Sequence, residues 1–526
     1  MFLLIFIRQA VELRVNAFVL RIQQLPEGTR HILLITAVMM AAIIQIIDTT
    51  IANVALPHMQ GSLSVTQDQV AWVLTSYIIA TAIAMPLTGW VSGRVGRKRL
   101  LMTSVFGFTL ASICCGAAQS IDQIIFFRVI QGVCGACLVP LSQALLLDTF
   151  PVEKHGKAMG IWGVGVMVAP IMGPTLGGWL TEYYSWRWVF YINVPFGILS
   201  LMGVYALIKE SPLDKERPFD LLGFVFLSVA LVSLQMMLDR GQSLSWFDSK
   251  EIVGELLLAV LAFYFFVVHM FTQKQPFIEP RLFIDRNFPL GLVFIFIIGI
   301  ILLATLALLP PYLENLMGYP VFDAGLILAP RGAGTMLTMF ISTRVMDRKL
   351  FSPHYVIVTG LCCIIFSMWL MTGFTVNVTH SLITWTGFIQ GMGLGFIFVP
   401  LSTIAFSTLD PKLRTEAASI FTLVRSIGSS IGISIVMSQL SNSLQREHAM
   451  LVEHITPFNA LLEEPLTALV WDIHTTRGLM ALDGEITRQA LQLAYIDDFY
   501  LIMLMTVCAV PVALLLRVPE PEAVGR

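Results

Sequence analysis

The segment Ile125-Phe-Phe-Arg-Val-Ile-Gln-Gly-Val-Cys-Gly-Ala-Cys-Leu-Val-Pro-Leu-Ser142 decides the fold, because it is apolar enough for a lipid bilayer and yet contains a charge. A charge near the bilayer centre costs at least about 2.5–3.5 kcal/mol, so it is retained only where it faces a protein interior or a water-filled path. On a helix, Arg128, Gln131, Gly132 and Gly135 share one face. This face combines a cation, an amide and two positions where another backbone can approach closely.

A second copy of the pattern occurs as Gly387-Phe-Ile-Gln-Gly-Met-Gly-Leu-Gly-Phe-Ile-Phe-Val-Pro-Leu-Ser402. Gln390 and Gly391 recur at matching positions and Gly395 and Pro400 recur close to theirs, but Gly387 stands where the first copy has Arg128. The repeat predicts two structurally similar halves with unequal functions.

The composition indicates a membrane protein. Hydrophobic residues make up 56% of the chain and charged residues 13%, about half of the roughly 25% that soluble domains carry. Apolar runs long enough to span a bilayer recur along most of the chain. We therefore predict an all-α, polytopic membrane protein. All seven cysteines fall inside apolar spans, which favours a packing function over a disulfide framework or a zinc site.

The apolar runs predict fourteen membrane-spanning helices, arranged as six, two and six. They lie at about 32–56, 70–92, 100–119, 122–147, 158–181, 188–208, 220–239, 252–272, 288–313, 321–346, 353–374, 380–407, 416–440 and 497–517. We expect an amphipathic cytoplasmic segment at about 1–31, a six-helix bundle at 32–208, a linker with two extra helices at 209–287, a second six-helix bundle at 288–517 and a cytoplasmic tail at 518–526.

The distribution of positive charge supports this topology. If the N-terminus is cytoplasmic, most Lys and Arg residues outside the spans lie on the cytoplasmic side, as the positive-inside rule requires. The outer side then holds Arg187, Arg240, Lys250, Arg446, Arg477 and Arg488. Both termini are therefore predicted to be cytoplasmic. The long loop at about 441–496 is then external; it docks a partner, lids the exit or caps the helix ends.

Five motifs occur in order along the chain, and one of them lies within the segment quoted first. They are Ile47-Asp-Thr-Thr-Ile-Ala-Asn-Val-Ala-Leu-Pro57, Gly89-Trp-Val-Ser-Gly-Arg-Val-Gly-Arg-Lys-Arg99, Arg128-Val-Ile-Gln-Gly132, Ala169-Pro-Ile-Met-Gly-Pro-Thr-Leu-Gly-Gly178 and Gln235-Met-Met-Leu-Asp-Arg-Gly241. With these motifs the chain resembles the major facilitator superfamily, in particular its fourteen-span drug:proton antiporters of the EmrB/QacA type. One departure is Gly93, where the family's loop usually carries an aspartate.

The resemblance implies a multi-pass transporter of the bacterial inner membrane that exports drugs by proton antiport and so confers antibiotic resistance. It also implies a periplasmic adaptor (a membrane fusion protein) and an outer-membrane channel as partners. Residues that the resemblance assigns to conformational motifs are Gly89, Arg94, Gly96, Arg97, Gly132, Pro170, Gly173, Pro174, Gly177, Gly178 and Arg425. The glycines and prolines of the fifth helix would let it bend and pack closely.

Asp48 and Arg128 are the predicted proton-coupling residues. A carboxylate within a span can bind and release a proton according to the side from which water reaches it, and a nearby cation favours its charged form. Two alternatives remain: Asp48 as a structural carboxylate near a helix end, and Arg128 as a residue that only binds backbone carbonyl groups.

The predicted substrate cavity is lined by polar residues inside apolar spans. They are Gln45, Gln131, Gln143, Gln390, Arg331 and Glu314. Gln45 lies one turn from Asp48 on the same helix face. Arg331 either pairs with Glu314 or contacts an anionic substrate.

The sequence gives no support for an enzyme. It contains no Gly-x-x-x-x-Gly-Lys-Ser/Thr phosphate loop and no His-Glu-x-x-His zinc motif, so we expect a transporter without cofactor or metal that is driven by the proton gradient. The expected partners are a small-molecule substrate, protons and lipid, and no nucleic acid. Three alternatives remain: an exporter of a metabolite such as a siderophore or fatty acid, a proton-coupled importer, and a non-transporting scaffold.

Overall fold

The computed structural model describes residues 24–515, except 152–153, 211, 215–216, 285, 349, 457–461, 463 and 465–469. Within these residues the chain is helical and contains no strand. Thirteen of the described helices are long and apolar enough to cross a membrane, and a helix pair bent by 59° gives a fourteenth when it is counted as one span. The predicted all-α membrane fold is confirmed. The cytoplasmic location of both termini stays a prediction.

We number the spans α1 to α14. In the first part of the chain, α1 is Glu27–Leu63, α2 is Gln67–Ala84 with Leu87–Val95, α3 is Arg97–Ala117, α4 is Ile121–Thr149, α5 is His155–Tyr183 and α6 is Trp188–Leu207. Then α7 is Leu221–Arg240 and α8 is Lys250–Thr272. In the last part, α9 is Asn287–Leu316, α10 is Val321–Asp347, α11 is Pro353–Met371, α12 is His380–Ser407, α13 is Arg414–Glu453 and α14 is Thr476–Leu515.

Two of these spans are broken next to a proline. The break in α2 falls at Met85 and Pro86. The break in α4 falls at Ala136 and Cys137, and Ala136 lies four residues before Pro140. Proline lacks a backbone N–H and its ring clashes with the carbonyl group four residues earlier, which explains the position of the second break.

The two sets of six helices pack with the same pattern. In the first set α1 packs on α5 and α6, α2 packs on α4, and α3 packs on α4 and α6. In the second set α9 packs on α13 and α14, α10 packs on α12, and α11 packs on α12 and α14. The internal repeat of the sequence is therefore repeated in the packing of the helices.

The two extra helices pack on each other and cover the boundary between the two sets. Near its end, α7 contacts α2 through a hydrogen bond from Thr75 Oγ1 to Asp239 Oδ2 of 2.6 Å. It contacts α13 through a hydrogen bond from Ser434 Oγ to the Leu238 carbonyl of 3.1 Å. The helix pair is thus part of the bundle on the α2–α13 side.

Helices α13 and α14 differ from the prediction, because both extend far into the segment expected to be a loop. Each has 40 residues, which is about 60 Å of helix and twice the thickness of the hydrocarbon core. Beyond the apolar part they pair through Arg446 and Asp497, whose atoms lie 2.6 Å apart, and Ser443 donates to the same carboxylate. The sequence also predicts an apolar stripe along this segment, at Leu462, Leu466, Leu469 and Ile473, and this stripe falls partly outside the described residues. The predicted terminal segments up to residue 23 and after residue 515 lie outside them as well.

Candidate functional site

Asp48 lies in the interior of the first helix set, where its side chain has no solvent exposure. Its Oδ2 accepts a hydrogen bond of 2.5 Å from an Arg128 guanidinium nitrogen. Its Oδ1 accepts hydrogen bonds from Gln131 Nε2 at 2.9 Å and from Asn193 Nδ2 at 2.7 Å. We call Asp48, Arg128, Gln131 and Asn193 the carboxylate cluster. It joins α1, α4 and α6, and it brings together both predicted proton-coupling residues.

Arg128 is held on several sides. Its Nε donates to the Val73 carbonyl of α2 at 3.0 Å, and the same nitrogen that bonds Asp48 also donates to Gln131 Oε1 at 2.9 Å. The guanidinium carbon lies 4.1 Å from the centre of the Tyr77 ring. These contacts offset the desolvation penalty of a buried cation, which only good geometry and additional hydrogen bonds can do.

Close helix packing brings the cluster together. A Cβ atom on Gly132 would lie 2.7 Å from the Tyr77 carbonyl oxygen, closer than real Cβ contacts, so a larger residue there would push α4 away from α2. The structure buries Gly132 and Gly135 on the same face as Arg128 and Gln131.

Asn193 and Ser112 belong to the site and were missed from the sequence. Asn193 Nδ2 also lies 2.9 Å from Ser112 Oγ, and this hydroxyl donates to the Phe190 carbonyl at 2.8 Å. Asn193 is 145 residues from Asp48 in the chain, so no local pattern links the two. The available signal was an asparagine inside an apolar run, which in a bilayer requires a partner.

The predicted cavity residues lie in several different places. Gln45 is buried one turn before Asp48 on α1. Gln143 is buried in the second segment of α4, with its Nε2 3.6 Å from Met159 Sδ of α5. Gln390 is buried in α12, and neither its amide nitrogen nor its amide oxygen has a hydrogen-bond partner among the described residues.

Arg331 is buried in α10, with 3% of its surface exposed. It donates a long hydrogen bond of 3.4 Å to the Leu302 carbonyl of α9, while its Nε has no partner in the described part of the chain. Glu314 lies half-buried in the π-helical end of α9, and no ion pair joins it to Arg331 among the described residues. The predicted alternative of an Arg331–Glu314 pair is therefore absent from this structure.

The fifth helix lies between the two sets. A Cβ on Gly173 would collide with Thr50 Oγ1 of α1, and a Cβ on Gly178 would lie 2.8 Å from the side chain of Val321 of α10. The glycines of α5 therefore permit close approach on both sides. Pro170, Pro174 and Gly177 lie within the same continuous helix.

Ionic contacts join the two sets at one end of the bundle, which we call the basic end because Arg97, Arg217 and Arg414 lie there. Asp148 of α4 forms ion pairs with Arg97 and, at 2.9 Å, with Arg414 of α13. Glu416 of α13 pairs with Arg217 of the linker at 2.9 Å.

The last turns of α2 and the turn into α3 support these contacts. Gly89 abuts Glu416, since a Cβ on Gly89 would lie 2.8 Å from that side chain, and the Arg94 guanidinium lies over the Trp90 ring. Gly96 has φ +97°, a conformation that favours glycine. Where the family usually has an aspartate, the Gly93 carbonyl accepts a hydrogen bond from the Asp214 backbone at 2.8 Å.

The last cation in the predicted motifs, Arg425 of α13, is half-buried. Its carbonyl oxygen would collide with a Cβ on Gly299, so α13 and α9 are in close contact at this level.

Comparisons with known proteins agree with this architecture. The family model described as Major Facilitator Superfamily matches residues 38–433. The chain is 37% identical to the multidrug export protein EmrB of Escherichia coli K12, over 83% of this chain and 86% of that protein. It is 32% identical to the fatty acid resistance protein FarB of Neisseria gonorrhoeae, over 91% of this chain and 95% of that protein.

Among solved structures, the proton:xylose symporter XylE matches with a TM-score of 0.58 at 12% identity, covering 92% of this chain and 97% of that one. This match concerns the fold alone. The family match over residues 38–433 and the similarity to EmrB over most of the chain show that this protein belongs to the major facilitator superfamily and, within it, to the EmrB-like transporters.

Proposed function

We propose that this multi-pass membrane protein exports hydrophobic and amphipathic compounds across the bacterial inner membrane in exchange for protons. The names of its relatives support export of several drugs, since the EmrB proteins of Escherichia coli and Haemophilus influenzae and a probable multidrug resistance protein of Escherichia coli, EmrY, match over most of the chain. The observation that carries the proposal is the fully buried carboxylate cluster around Asp48.

The geometry of the cluster explains how a proton can act on the helices. All three side chains that contact the Asp48 carboxylate offer N–H donors to it. A proton on Oδ1, which already accepts two of these hydrogen bonds, would displace one of the two donors, and a proton on either oxygen removes the negative charge that attracts the Arg128 guanidinium. Because the donors come from α4 and α6, protonation loosens the attachment of α1 to both helices.

Alternating access then couples proton and substrate. When the site faces outward, Asp48 takes up a proton and the bound compound is released. The two helix sets rock around the midplane, and the proton leaves on the inner side. Asp48 and Arg128 have no solvent exposure in this structure, so a conformational change must precede proton entry.

The proton gradient supplies enough energy for this cycle. One charge crossing 100 mV yields about 2.3 kcal/mol, and a tenfold concentration gradient costs about 1.4 kcal/mol. One proton per neutral substrate therefore supports a gradient of about fortyfold. On this proposal the protein is a transporter without catalytic activity and uses no ATP or cofactor.

A dedicated exporter of a metabolite is the second candidate. The similarity to FarB, which is named for fatty acid resistance, favours fatty acids among such metabolites. Accumulation assays in intact cells, with hydrophobic cations compared with fatty acids, separate the two candidates. A drug pump lowers the accumulation of both classes, whereas a dedicated exporter lowers only one.

We also propose a periplasmic adaptor protein as a partner, linked to an outer-membrane channel. The paired extensions of α13 and α14 support this proposal, because a helical projection about as long as the membrane span itself offers a large surface outside the bilayer.

The proton-coupling proposal is tested with Asp48→Asn. Asparagine keeps the shape of the side chain but cannot carry the proton, so we expect loss of uphill efflux in inverted vesicles with normal insertion into the membrane. Asp323→Asn is the matched control, because this carboxylate is exposed in the first turn of α10. Uphill transport by Asp48→Asn at the level of the control would remove Asp48 from the mechanism.

A further inference from the structure

The two copies of the repeat differ in how their buried cations are neutralised. In the first copy, a guanidinium and a glutamine amide hold a carboxylate: Arg128 and Gln131 both donate to Asp48. In the second copy, Gln390 occupies the position of Gln131, and Gly387 occupies that of Arg128. The guanidinium is present there too, but it is supplied by the neighbouring helix.

Arg331 of α10 supplies this guanidinium. A Cβ on Gly387 would lie 3.9 Å from the Arg331 Cβ, and one on Gly391 would collide with the Arg331 carbonyl oxygen. Arg331 thus packs against the turn of α12 that contains Gln390. The second copy therefore places an arginine and a glutamine on two packed helices, where the first copy carries both on one helix.

The carboxylate of the first copy has no counterpart here. Helix α9, which packs in the second set as α1 packs in the first, contains a single acidic residue, Glu314, and no ion pair joins it to Arg331 within the described part of the structure. The Arg331 Nε and both amide atoms of Gln390 are buried without hydrogen-bond partners. Buried donors without partners carry a penalty that an anionic ligand would remove.

The space beside Arg331 leads to the boundary between the two helix sets. Arg331 lines a crevice with Leu306 and Leu328 of its own set and with Pro174 of α5 from the other set. The crevice measures about 10 Å³ in this structure, so it must widen before it can hold a ligand. The other lining residues are apolar, which suits the hydrocarbon part of an amphipathic compound.

We propose that Arg331 and Gln390 bind the anionic group of amphipathic substrates, in the way that Arg128 and Gln131 bind Asp48. The ligand class is a carboxylate, or a similar oxyanion, attached to an apolar chain or ring. The inference rests on the proposed export function and assigns it a substrate class. A guanidinium recognises a carboxylate by charge-assisted hydrogen bonds, which are stronger than neutral ones.

The test uses two probes of equal chain length and opposite charge, laurate and dodecyltrimethylammonium, with purified full-length protein in a neutral detergent. We expect Arg331→Met to weaken laurate binding by about tenfold to a hundredfold, since hydrogen bonds to charged groups contribute roughly 1.5–3 kcal/mol. Binding of the cationic probe should be unchanged or tighter. Arg331→Lys should retain part of the laurate affinity, and Gln390→Leu should weaken laurate binding to a smaller extent.

Arg425→Met is the charge-matched control, because it removes another cation of the same helix set. Equal loss of laurate binding in Arg425→Met and Arg331→Met would overturn the assignment, since the effect would then be one of total charge. Equal laurate affinity in wild type and Arg331→Met would overturn it as well. If Arg331→Met does not fold, Arg331→Lys and Gln390→Leu decide, and unchanged laurate affinity in both rejects the site.

Two further arms distinguish the substrate site from a lipid site and from the proton-coupling step. An anionic phospholipid could supply the same chemistry, so phosphatidylglycerol is added as a competitor. If this lipid binds in a way that depends on Arg331, and the protein does not export laurate in vesicles, the site is a lipid site and the proposal is overturned. Asp48→Asn should retain laurate binding that depends on Arg331, and it should fail to export either probe. Laurate affinity therefore tests the proposed site, whereas proton-coupled export tests the proposed antiport, so the two proposals can fail separately.

Discussion

At the scale of single residues, Arg128 and Asp48 depend on each other for their place in the membrane. Each ion loses several kcal/mol of hydration when it is buried, and the loss is offset only while the partner is present. Removing one partner from a buried pair costs about 3–5 kcal/mol, whereas replacing both is often close to neutral. The pair therefore strongly restricts single substitutions at these two positions, although it contributes little net stability to the fold.

This relation predicts a non-additive double mutant. Arg128→Met should lower the thermal stability of the purified protein markedly, because it leaves the Asp48 charge buried without its cation. Asp48→Asn combined with Arg128→Met should be more stable than Arg128→Met alone, as no charge then remains. Melting temperatures in detergent measure the cycle. Additive losses from the two substitutions would show that the side chains do not act as a pair.

The sequence predicted this pair but only part of its surroundings. Asp48, Arg128 and Gln131 could be chosen because charged and amide groups in apolar spans need partners. The contacts of Tyr77, Ser112 and Asn193 with this group could not be predicted, because they come from three other helices whose rotation and depth the sequence leaves open. The sequence marks Arg331 as unusual, but its position beside Gly387 depends on how α10 packs on α12, which the sequence does not show.

At the scale of helices, the contact between α1 and α5 depends on the absence of a side chain at Gly173. We expect Gly173→Ala to destabilise the protein by about 1–3 kcal/mol and to slow transport, because the new Cβ would collide with Thr50 Oγ1. Gly254→Ala in α8 is the control: nothing lies within 4 Å of its Cβ position, so the helix should become slightly more stable. Wild-type transport in Gly173→Ala would contradict the close contact, and Thr50→Ala should partly restore the variant.

The start of α7 is fixed by Asp220, which lies just outside the span. Its Oδ1 accepts a hydrogen bond from the Gly223 backbone at 3.0 Å and lies 2.8 Å from His269 Nε2 of α8, while Oδ2 accepts from the Phe277 backbone at 3.0 Å. Burial raises the pKa of this carboxyl group, but the hydrogen bonds outweigh burial and lower the pKa below its ordinary value.

A group with a lowered pKa in the folded state stabilises the protein above its unfolded-state pKa and loses this effect as pH falls through the folded-state value. Asp220→Asn should therefore lower the melting temperature at neutral pH, and the difference from wild type should shrink below about pH 4. Asp248→Asn, at an exposed position in the α7–α8 turn, serves as the control. A difference that stays constant down to acidic pH would exclude this role of the ionised Asp220.

The lengths of α13 and α14 show where hydropathy stops being informative. The apolar pattern ends at the membrane surface, and the helices continue because polar residues such as Arg446 and Asp497 pair between them. Pairing of this kind depends on which helix is the neighbour, and the sequence alone does not contain that information.

At the scale of the whole molecule, the projecting helices and the transport core should be separable. Replacing residues 451–488 by a short flexible linker removes the contact between His448 and Asp483 and keeps the contact between Arg446 and Asp497. We expect normal size-exclusion behaviour and ligand binding, with loss of co-purification of the periplasmic adaptor. A Gly/Ser linker of the same length in the α7–α8 turn is the control, and a retained adaptor complex in the shortened protein would place the partner surface elsewhere.

The position of α7 has a consequence for compounds dissolved in the bilayer. With Thr75 on one side and Ser434 on the other, α7 closes the flank between α2 and α13 to lateral diffusion of lipid-soluble molecules. On the opposite flank, α5 and α10 meet directly across Gly178 and Gly325, so a molecule that enters there from a leaflet would come close to Arg331 once these helices separate. With one lateral entrance, every compound that arrives from the lipid phase would meet the side chains of the interior in the same order.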